Sequence, residues 1–243
     1  MGKTRLDQKL VNLSLFDSRA RAASAIKAGL VRVNGKPAVK AAMSVSDGDE
    51  ISAAGEHEFV SRGGMKLAAA LAHFDYRVSG GTFADIGAST GGFTDVLLQH
   101  GAAHVFAVDV GQDQLHAKLR QDERVRDMSA INARHLTAED FDRALDGLVC
   151  DVSFISQTKA LAALLPLMPE KSWALSLIKP QFELDKSALG KNGVVSNAAL
   201  RHAACEAVQN WWQSQNWHVD GVIESPITGP QGNVEFLLAA RRI

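Results

Sequence analysis

The chain has 243 residues, with 26 Lys and Arg against 27 Asp and Glu and a formal net charge of −1. Hydrophobic content of 46% and charged content of 22% are ordinary for a globular protein, and the length suits one large domain plus a small one. Two cysteines, Cys150 and Cys205, cannot build a disulfide framework. No window of about eighteen uninterrupted apolar residues reads as a membrane span, and near-neutral charge confines any nucleic-acid binding to a local patch. With no apolar signal run at the amino end, the thiols are expected to be reduced and the chain cytoplasmic.

The first fifty residues differ in character from the rest. Leu6, Leu10 and Leu13 fall at helical spacing between Arg5 and Leu15. Asp17 or Ser18 can cap a second helix that carries Ala22, Ala23 and Ile26 and stops at Gly29. Val31-Arg-Val33 alternates like a strand, Asn34-Gly35 is a strong hairpin signal, and a further strand is expected to end near Ile51 after the Asp47-Gly48 turn. Up to Lys40 the bases are Lys3, Arg5, Lys9, Arg19, Arg21, Lys27, Arg32, Lys36 and Lys40, while the acids are only Asp7 and Asp17. Such an excess marks a phosphate-binding face, although charge alone fits a solvated basic surface equally well. The pattern Arg5-Leu-Asp7, Ser18-Arg19 and Val31-x-Val33-Asn34-Gly35 resembles the small RNA-binding domain of ribosomal small-subunit protein four. That resemblance implies RNA contacts from Arg5, Arg19, Arg21, Lys27, Arg32 and Lys36, to which Arg62 is added from just beyond the unit.

Ser52 to Glu58 is polar and small and reads as a connector. The expected organisation is a small α+β domain over residues 1–52, a linker over 53–60 and a large domain over 61–243. Ser61-Arg62-Gly63-Gly64 leads into a helix from Met65 to about Phe74, with Leu67 and Leu71 facing inward. Strands are expected to end near Asp85, to run from Val105 to Asp109, near Val125, from Leu148 to Asp151, and from Trp173 to Ile178. Helices are expected from Phe93, near Leu115–Arg120, and from about Thr158 to Leu165. A long helix presents Leu200, Ala204, Val208 and Trp211, and Asp185 to Asn192 reads as a mobile loop. Strands alternating with helices give a doubly wound, mostly parallel α/β sheet. The last two strands, about Trp217–Glu224 and Val234–Ala240, have only a turn-rich connection between them, so they must run antiparallel.

The stretch Phe83-Ala-Asp-Ile-Gly-Ala-Ser-Thr-Gly-Gly-Phe93 reads as a buried strand, a glycine-rich turn and a helix start. A backbone passing close beneath a ligand has no room for side chains, and the helix aims its free N–H groups at whatever lies above. About twenty residues on, Asp109 stands at the tip of the second strand, where a ribose diol is gripped in a doubly wound sheet. A dinucleotide fingerprint has glycine at its middle position so that a pyrophosphate can approach. Here that position is Ser89, which favours a nucleoside cofactor without pyrophosphate, such as S-adenosylmethionine. The candidate cofactor residues are Asp85, Gly87, Ser89, Thr90, Gly91, Gly92, Phe93 and Asp109.

Reacting groups in an open α/β sheet lie outside the carboxyl ends of its strands. Asp151 and Lys179 stand at two such ends, Glu235 opens the final strand on the same rim, and Lys66 can reach it from the preceding helix. Two lysines and two carboxylates converging on a methyl donor suit an acceptor that must lose a proton. Ser61-Arg-Gly-Gly-Met-Lys-Leu67, Asp85-Ile-Gly-Ala-Ser-Thr-Gly-Gly-Phe-Thr-Asp95, Ala107-Val-Asp-Val-Gly111, Asp151-Val-Ser-Phe-Ile-Ser156, Leu177-Ile-Lys-Pro-Gln-Phe-Glu183 and Gly229-Pro-Gln-Gly-Asn-Val-Glu-Phe-Leu237 resemble the TlyA (hemolysin A) family. That family joins the small RNA-binding domain to an FtsJ-type ribose methyltransferase with a Rossmann-like fold. The resemblance implies a catalytic tetrad of Lys66, Asp151, Lys179 and Glu235, S-adenosylmethionine as cofactor, no metal, and 2′-O-methylation of cytidine in ribosomal RNA. It departs from the family at Met128-Ser-Ala-Ile-Asn-Ala-Arg134, where Ser129 replaces the usual acid.

A ribose 2′-hydroxyl is a weak nucleophile and needs a positioned base. A free lysine is protonated at neutral pH, burial near other cations opposes that charge, and nearby carboxylates favour it. The residues leave open which lysine is the base, and the resemblance points to Lys179. Rival readings are a nicotinamide-dependent oxidoreductase, disfavoured by the glycine spacing, a non-catalytic RNA-binding or assembly factor, and a membrane-lytic protein of the kind the hemolysin name implies.

Overall fold

The computed structural model describes residues 3–13, 15–16, 18–46, 48–53, 59–229 and 231–243. The chain divides into two units, Met1–Glu58 and Phe59–Ile243. The middle of the expected linker, residues 54–58, lies outside the described residues.

The first unit runs β1 (Thr4–Arg5), α1 (Leu6–Asn12), α2 (Arg19–Lys27), β2 (Val31–Val33), β3 (Lys36–Pro37), β4 (Ser44–Val45) and β5 (Ile51–Ala53). Ser18 is the cap of α2, its Oγ accepting from Arg21 N at 3.3 Å; Asp17, the other candidate, is not among the described residues. Asn34 (φ 52°) and Gly35 (φ 75°) are both left-handed, the pair of conformations a two-residue hairpin turn requires. Leu6, Leu10, Ala22, Ala25, Ile26, Val31 and Val33 form the core. Two expectations change. Leu13 is 46% exposed because α1 stops at Asn12 and leaves Leu13 as the cap. The strand expected to end near Ile51 instead begins there and pairs antiparallel with β2.

The second unit is a seven-stranded sheet of β6 (Thr82–Ile86), β7 (His104–Asp109), β8 (Val125–Ser129), β9 (Gly147–Cys150), β10 (Trp173–Ile178), β11 (Trp217–Glu224) and β12 (Phe236–Arg242). Its order is β11-β12-β10-β9-β6-β7-β8. Strands β6 to β10 pair in parallel, and β12 runs antiparallel to both β10 and β11. The helices are α3 (Gly63–Phe74), α4 (Gly92–Gln99), α5 (Ala117–Arg120), α6 (Gln157–Leu161), α7 (Pro180–Glu183) and α8 (Ala198–Ser214). Segment 185–192, read from sequence as loop, contains short turns at Lys186–Ala188 and at Lys191–Gly193.

Why the central strands β6, β7, β9 and β10 are buried along almost their whole length follows from their alternation. Along β7, Phe106 and Val108 join one core, while Val105 and Ala107 join the other. Both faces are covered, so neither set can be polar. On α8 Trp211 is partly buried and packs against the core with Val208, as the helical spacing expects, and Trp212 beside it is buried as well. Trp212 is fully buried and donates its indole N–H to Gln157 Oε1 at 3.0 Å, a partner that the helical spacing did not reveal. Among the described residues no helix is long and apolar enough to cross a membrane. The sheet order reverses beside β6, with β7 on one flank and β9 on the other. A topological switch of this kind opens a crevice at the carboxyl ends of those strands.

Candidate active site

The turn after β6 is built from left-handed residues: Gly87 (φ 83°), Ser89 (φ 49°) and Gly91 (φ 91°). A Cβ on Gly87 would lie 2.9 Å from the carbonyl oxygen of Asp151, so this glycine lets the turn close against the loop that follows β9. Gly91 behaves differently from expectation. The space beside its Cα is filled by Leu119 and Leu115, whose methyl carbons would meet an added Cβ at 2.2 and 2.8 Å. The side-chain direction of Gly91 therefore points at Leu119 on α5, and Gly91 lines neither of the two cavities. Gly92 brings α3 against α4, since a Cβ there would sit 2.2 Å from Ser61 Oγ. That close approach delivers Lys66, on the first turns of α3, to the rim.

Two adjoining cavities open above these strand ends. The first, of 320 Å³, is lined by Asp85, Gly87, Ser89, Thr90, Gly92, Phe93 and the four tetrad residues, with Arg62, Ser153 and Thr228 also on its wall. The second, of 510 Å³, is lined by Gly87, Ser89, Asp109, Val110, Ile131, Asn132, Val152 and Phe154 among others. They share Gly87, Ser89, Asp151 and Ser153. Seven of the eight expected cofactor residues thus reach the cavities.

Asp85 is fully buried. Its Oδ2 accepts from Thr94 Oγ1 at 2.6 Å, whereas Oδ1 is buried without a hydrogen-bond partner. Burial pushes its carboxyl up to about 7, with the nearby Asp151 and Asp109 adding to that and the Thr94 hydrogen bonds opposing it. Asp109 accepts from Ser89 N at 2.8 Å and from Gly111 N at 2.7 Å. Each carboxylate oxygen keeps a further lone pair for a hydroxyl. Ser129 pairs with Asp109 across β7 and β8, and its hydroxyl turns back to Asp127 Oδ1 at 2.5 Å. Ile131 and Asn132 form the cavity wall beside it.

The four tetrad residues form one chain of contacts. Lys66 Nζ is 2.6 Å from Glu235 Oε2 and 3.6 Å from Asp151 Oδ2. Lys179 Nζ is 2.6 Å from Asp151 Oδ1 and donates to Ser153 Oγ at 2.7 Å. Lys66, Lys179 and Glu235 are 8%, 7% and 2% exposed. Burial of two cations is tolerated here because two anions accompany them at contact distance. A Cβ on Gly229 would lie 2.6 Å from Glu235 Oε1, so the loop before β12 needs a glycine to pass over that carboxylate. Glu183 fastens the Asp151–Ser156 loop to α7, accepting from Ser156 Oγ at 2.5 Å and from Gln157 N at 2.9 Å. Burial raises its carboxyl above the usual range, against the pull of those two hydrogen bonds.

Sequence reasoning missed two residues here. Ser153 stands between the cavities, and Phe154 is 91% exposed with a left-handed φ of 66°. The Phe154 ring lies 5.3 Å from that of Phe182 on α7. Both belong to a quoted motif, but only the loop's geometry shows that they face the cavities. In the first unit, Arg5 and Arg19 both contact the buried Asp7, at 3.0 and 3.1 Å. Hydrogen bonds from Arg5 hold the Asp7 carboxyl down at about 2, burial opposes them, and Arg19 assists. Lys27, Arg32 and Lys36 are exposed and Arg21 is half-buried, whereas Arg62, also exposed, belongs to the second unit.

Residues 59–242 match the family model of FtsJ-like methyltransferases, and residues 4–51 match the S4 domain. The chain belongs to the FtsJ-like methyltransferase family. This FtsJ-like methyltransferase is 45% identical over 241 residues to the 16S/23S rRNA (cytidine-2′-O)-methyltransferase TlyA of Mycobacterium tuberculosis, covering 98% of this chain and 90% of that one. It is 37% identical to Hemolysin A of Brachyspira hyodysenteriae, over 96% of this chain and 98% of the relative. A solved structure from Streptococcus thermophilus, named as a presumed hemolysin, superposes with a TM-score of 0.79 at 41% identity, covering 100% of this chain and 89% of that one.

An FtsJ-like methyltransferase takes its methyl group from S-adenosylmethionine, and the site's residues fit that molecule. The unpartnered Asp85 oxygen suits the ammonium of its methionine part, Asp109 suits its ribose diol, and the apolar side chains Val110, Ile131 and Val152 suit a purine. The absence of glycine at the middle position is consistent with this, since Ser89 gives its backbone N–H to Asp109 where a pyrophosphate binder would offer it to phosphate.

Proposed function

We propose that this FtsJ-like methyltransferase methylates the 2′-hydroxyl of a cytidine in ribosomal RNA, acting on the ribosome or its subunits in the cytoplasm. The observation that carries the reading is the ion-pair chain Glu235–Lys66–Asp151–Lys179 on the wall of the first cavity, with Asp151 shared by both cavities. The chemistry supplied by the bound cofactor is an electrophilic methyl group on a sulfonium.

The chain's own residues supply the rest. Asp85, with Gly87, Ser89, Thr90, Gly92 and Phe93, holds the methionine part, and Asp109 holds the ribose. Asp151 ties both lysines together, and Glu235 anchors Lys66. Two carboxylates balance the charge of Lys66 and one balances that of Lys179. The asymmetry favours Lys179 as the amine that receives the 2′-hydroxyl proton while the oxygen takes the methyl group and the sulfur becomes a neutral thioether. Alignment of the acceptor oxygen with the methyl carbon contributes through proximity. The exposed Phe154 ring offers a face on which a nucleobase can stack. Arg5, Arg19, Arg21, Lys27, Arg32 and Lys36 position RNA through phosphate contacts, which fix register without reading sequence. Residues 53–60 connect the two domains, 1–52 and 61–243.

The test is methyl transfer to ribosomal RNA in a single turnover, with the product mapped by resistance of the 3′ phosphodiester to alkali. Lys179→Ala is expected to lower the rate about 10²–10⁴-fold with cofactor affinity unchanged. Lys179→Arg should not rescue, because a guanidinium stays protonated. Near-normal turnover by Lys179→Arg would end the assignment of Lys179 as base.

A further inference from the structure

The contacts of Lys179 are not equivalent. Its Nζ lies 2.6 Å from Asp151 Oδ1, yet that oxygen has no partner in hydrogen-bond geometry. The directional bond of the amine goes to Ser153 Oγ, at 2.7 Å. Asp151 is shared with Lys66, so its hold on Lys179 is chiefly Coulombic. Ser153 stands two residues past Asp151 on the same loop, lines both cavities and is exposed. Among the described residues its hydroxyl makes one hydrogen bond, to Lys179.

We propose that Ser153 is a positioning residue for Lys179, its hydroxyl oxygen accepting one N–H and thereby aiming the remaining positions of the nitrogen. A neutral lysine nitrogen carries two N–H bonds and one lone pair, staggered about the Cε–Nζ bond. Rotation about that bond is nearly free. An undirected charge such as Asp151 does not stop it, but a hydrogen bond at fixed direction does. With one N–H bound to Ser153 and another drawn toward Asp151, the lone pair is left facing the cavity. There it can take the proton of the acceptor hydroxyl. This inference rests on Lys179 being the base.

The experiment uses the full chain with S-adenosylmethionine and ribosomal RNA. Ser153→Ala is expected to lower the single-turnover rate at saturating substrates about tenfold or more. Its Kd for cofactor and for RNA, and its Tm, should match the wild type. Ser153→Thr keeps the acceptor oxygen and should recover most of the rate. Combined with Lys179→Ala, Ser153→Ala should add no further loss, because the group it positions is gone. Equal losses in the presence and absence of Lys179, an effect confined to RNA affinity, or failure of threonine to rescue would each overturn the positioning role. If Lys179→Ala is slow while Ser153→Ala is fast, only this inference falls. If Lys179→Ala itself turns over normally, the base assignment falls and takes the inference with it.

Discussion

Replacing Asp85 with Asn should separate the stability of this fold from its hold on the cofactor. Burial raises the Asp85 carboxyl from 3.8 to about 7 in the folded chain. Roughly three units at about 1.4 kcal/mol each make the charged form about 4 kcal/mol less compatible with the fold. The sign is that of a raised acid. Below pH 4 both folded and unfolded forms are protonated and Asp85 is neutral in effect. Between pH 4 and 7 the folded chain binds more protons than the unfolded one, so stability falls as pH rises, and the full penalty is present above pH 7. Asp85→Asn removes this slope. Its amide places an unpaired N–H where Oδ1 now lies, costing about 1–3 kcal/mol, so the net gain at pH 8 is about 1–3 kcal/mol. Urea unfolding of the wild type and the variant from pH 4.5 to 8.5 measures the difference directly. Cofactor binding should change the other way. An ammonium against Asp85 favours the ionised carboxylate, so calorimetry at pH 6.5 in buffers of different ionisation enthalpy should detect proton release in the wild type and not in Asp85→Asn. The variant should bind more weakly by about 1.5–3 kcal/mol. Parallel unfolding curves at every pH, with no proton release in either protein, would show that Asp85 neither titrates in this range nor meets the ammonium.

Two further outcomes are expected. Gly91→Ala should lower Tm by forcing Leu119 and Leu115 aside and straining a left-handed residue, and the protein that remains folded should bind cofactor with wild-type Kd; a selective loss of affinity at unchanged Tm would return Gly91 to the cofactor site. Deleting residues 1–52 should leave cofactor affinity intact while RNA affinity falls and its dependence on salt becomes shallower, since fewer phosphate contacts release fewer counterions; equal methylation of RNA by the truncated and full chains would give the first unit another purpose.

Much of this molecule was legible in its sequence because the relevant signals are local. Alternation of apolar runs with helical spacing is set by which faces must be buried, and the turn at Asn34-Gly35 by the backbone freedom of those two residues. The antiparallel β12 followed from a connection too short to cross the sheet. Six ordered motifs carried the family and contain all four residues of the ion-pair chain. Contacts made across elements were not legible. Gly91 and Gly87 look alike in the sequence, yet one lies against α5 and the other against the loop after β9. Trp211 and Trp212 are neighbours on one helix, and only the packing shows that both reach the core, Trp212 with its indole N–H bound to Gln157 on α6. The two guanidinium groups of Arg5 and Arg19 share Asp7 although twelve residues separate one from it. The sequence by itself determined which residue types stand at each strand end, since burial and turn chemistry act within a few residues. Only the tertiary structure decided which of those residues touch, because a 2.6 Å contact between Lys66 and Glu235, 169 positions apart, depends on the packing of whole elements.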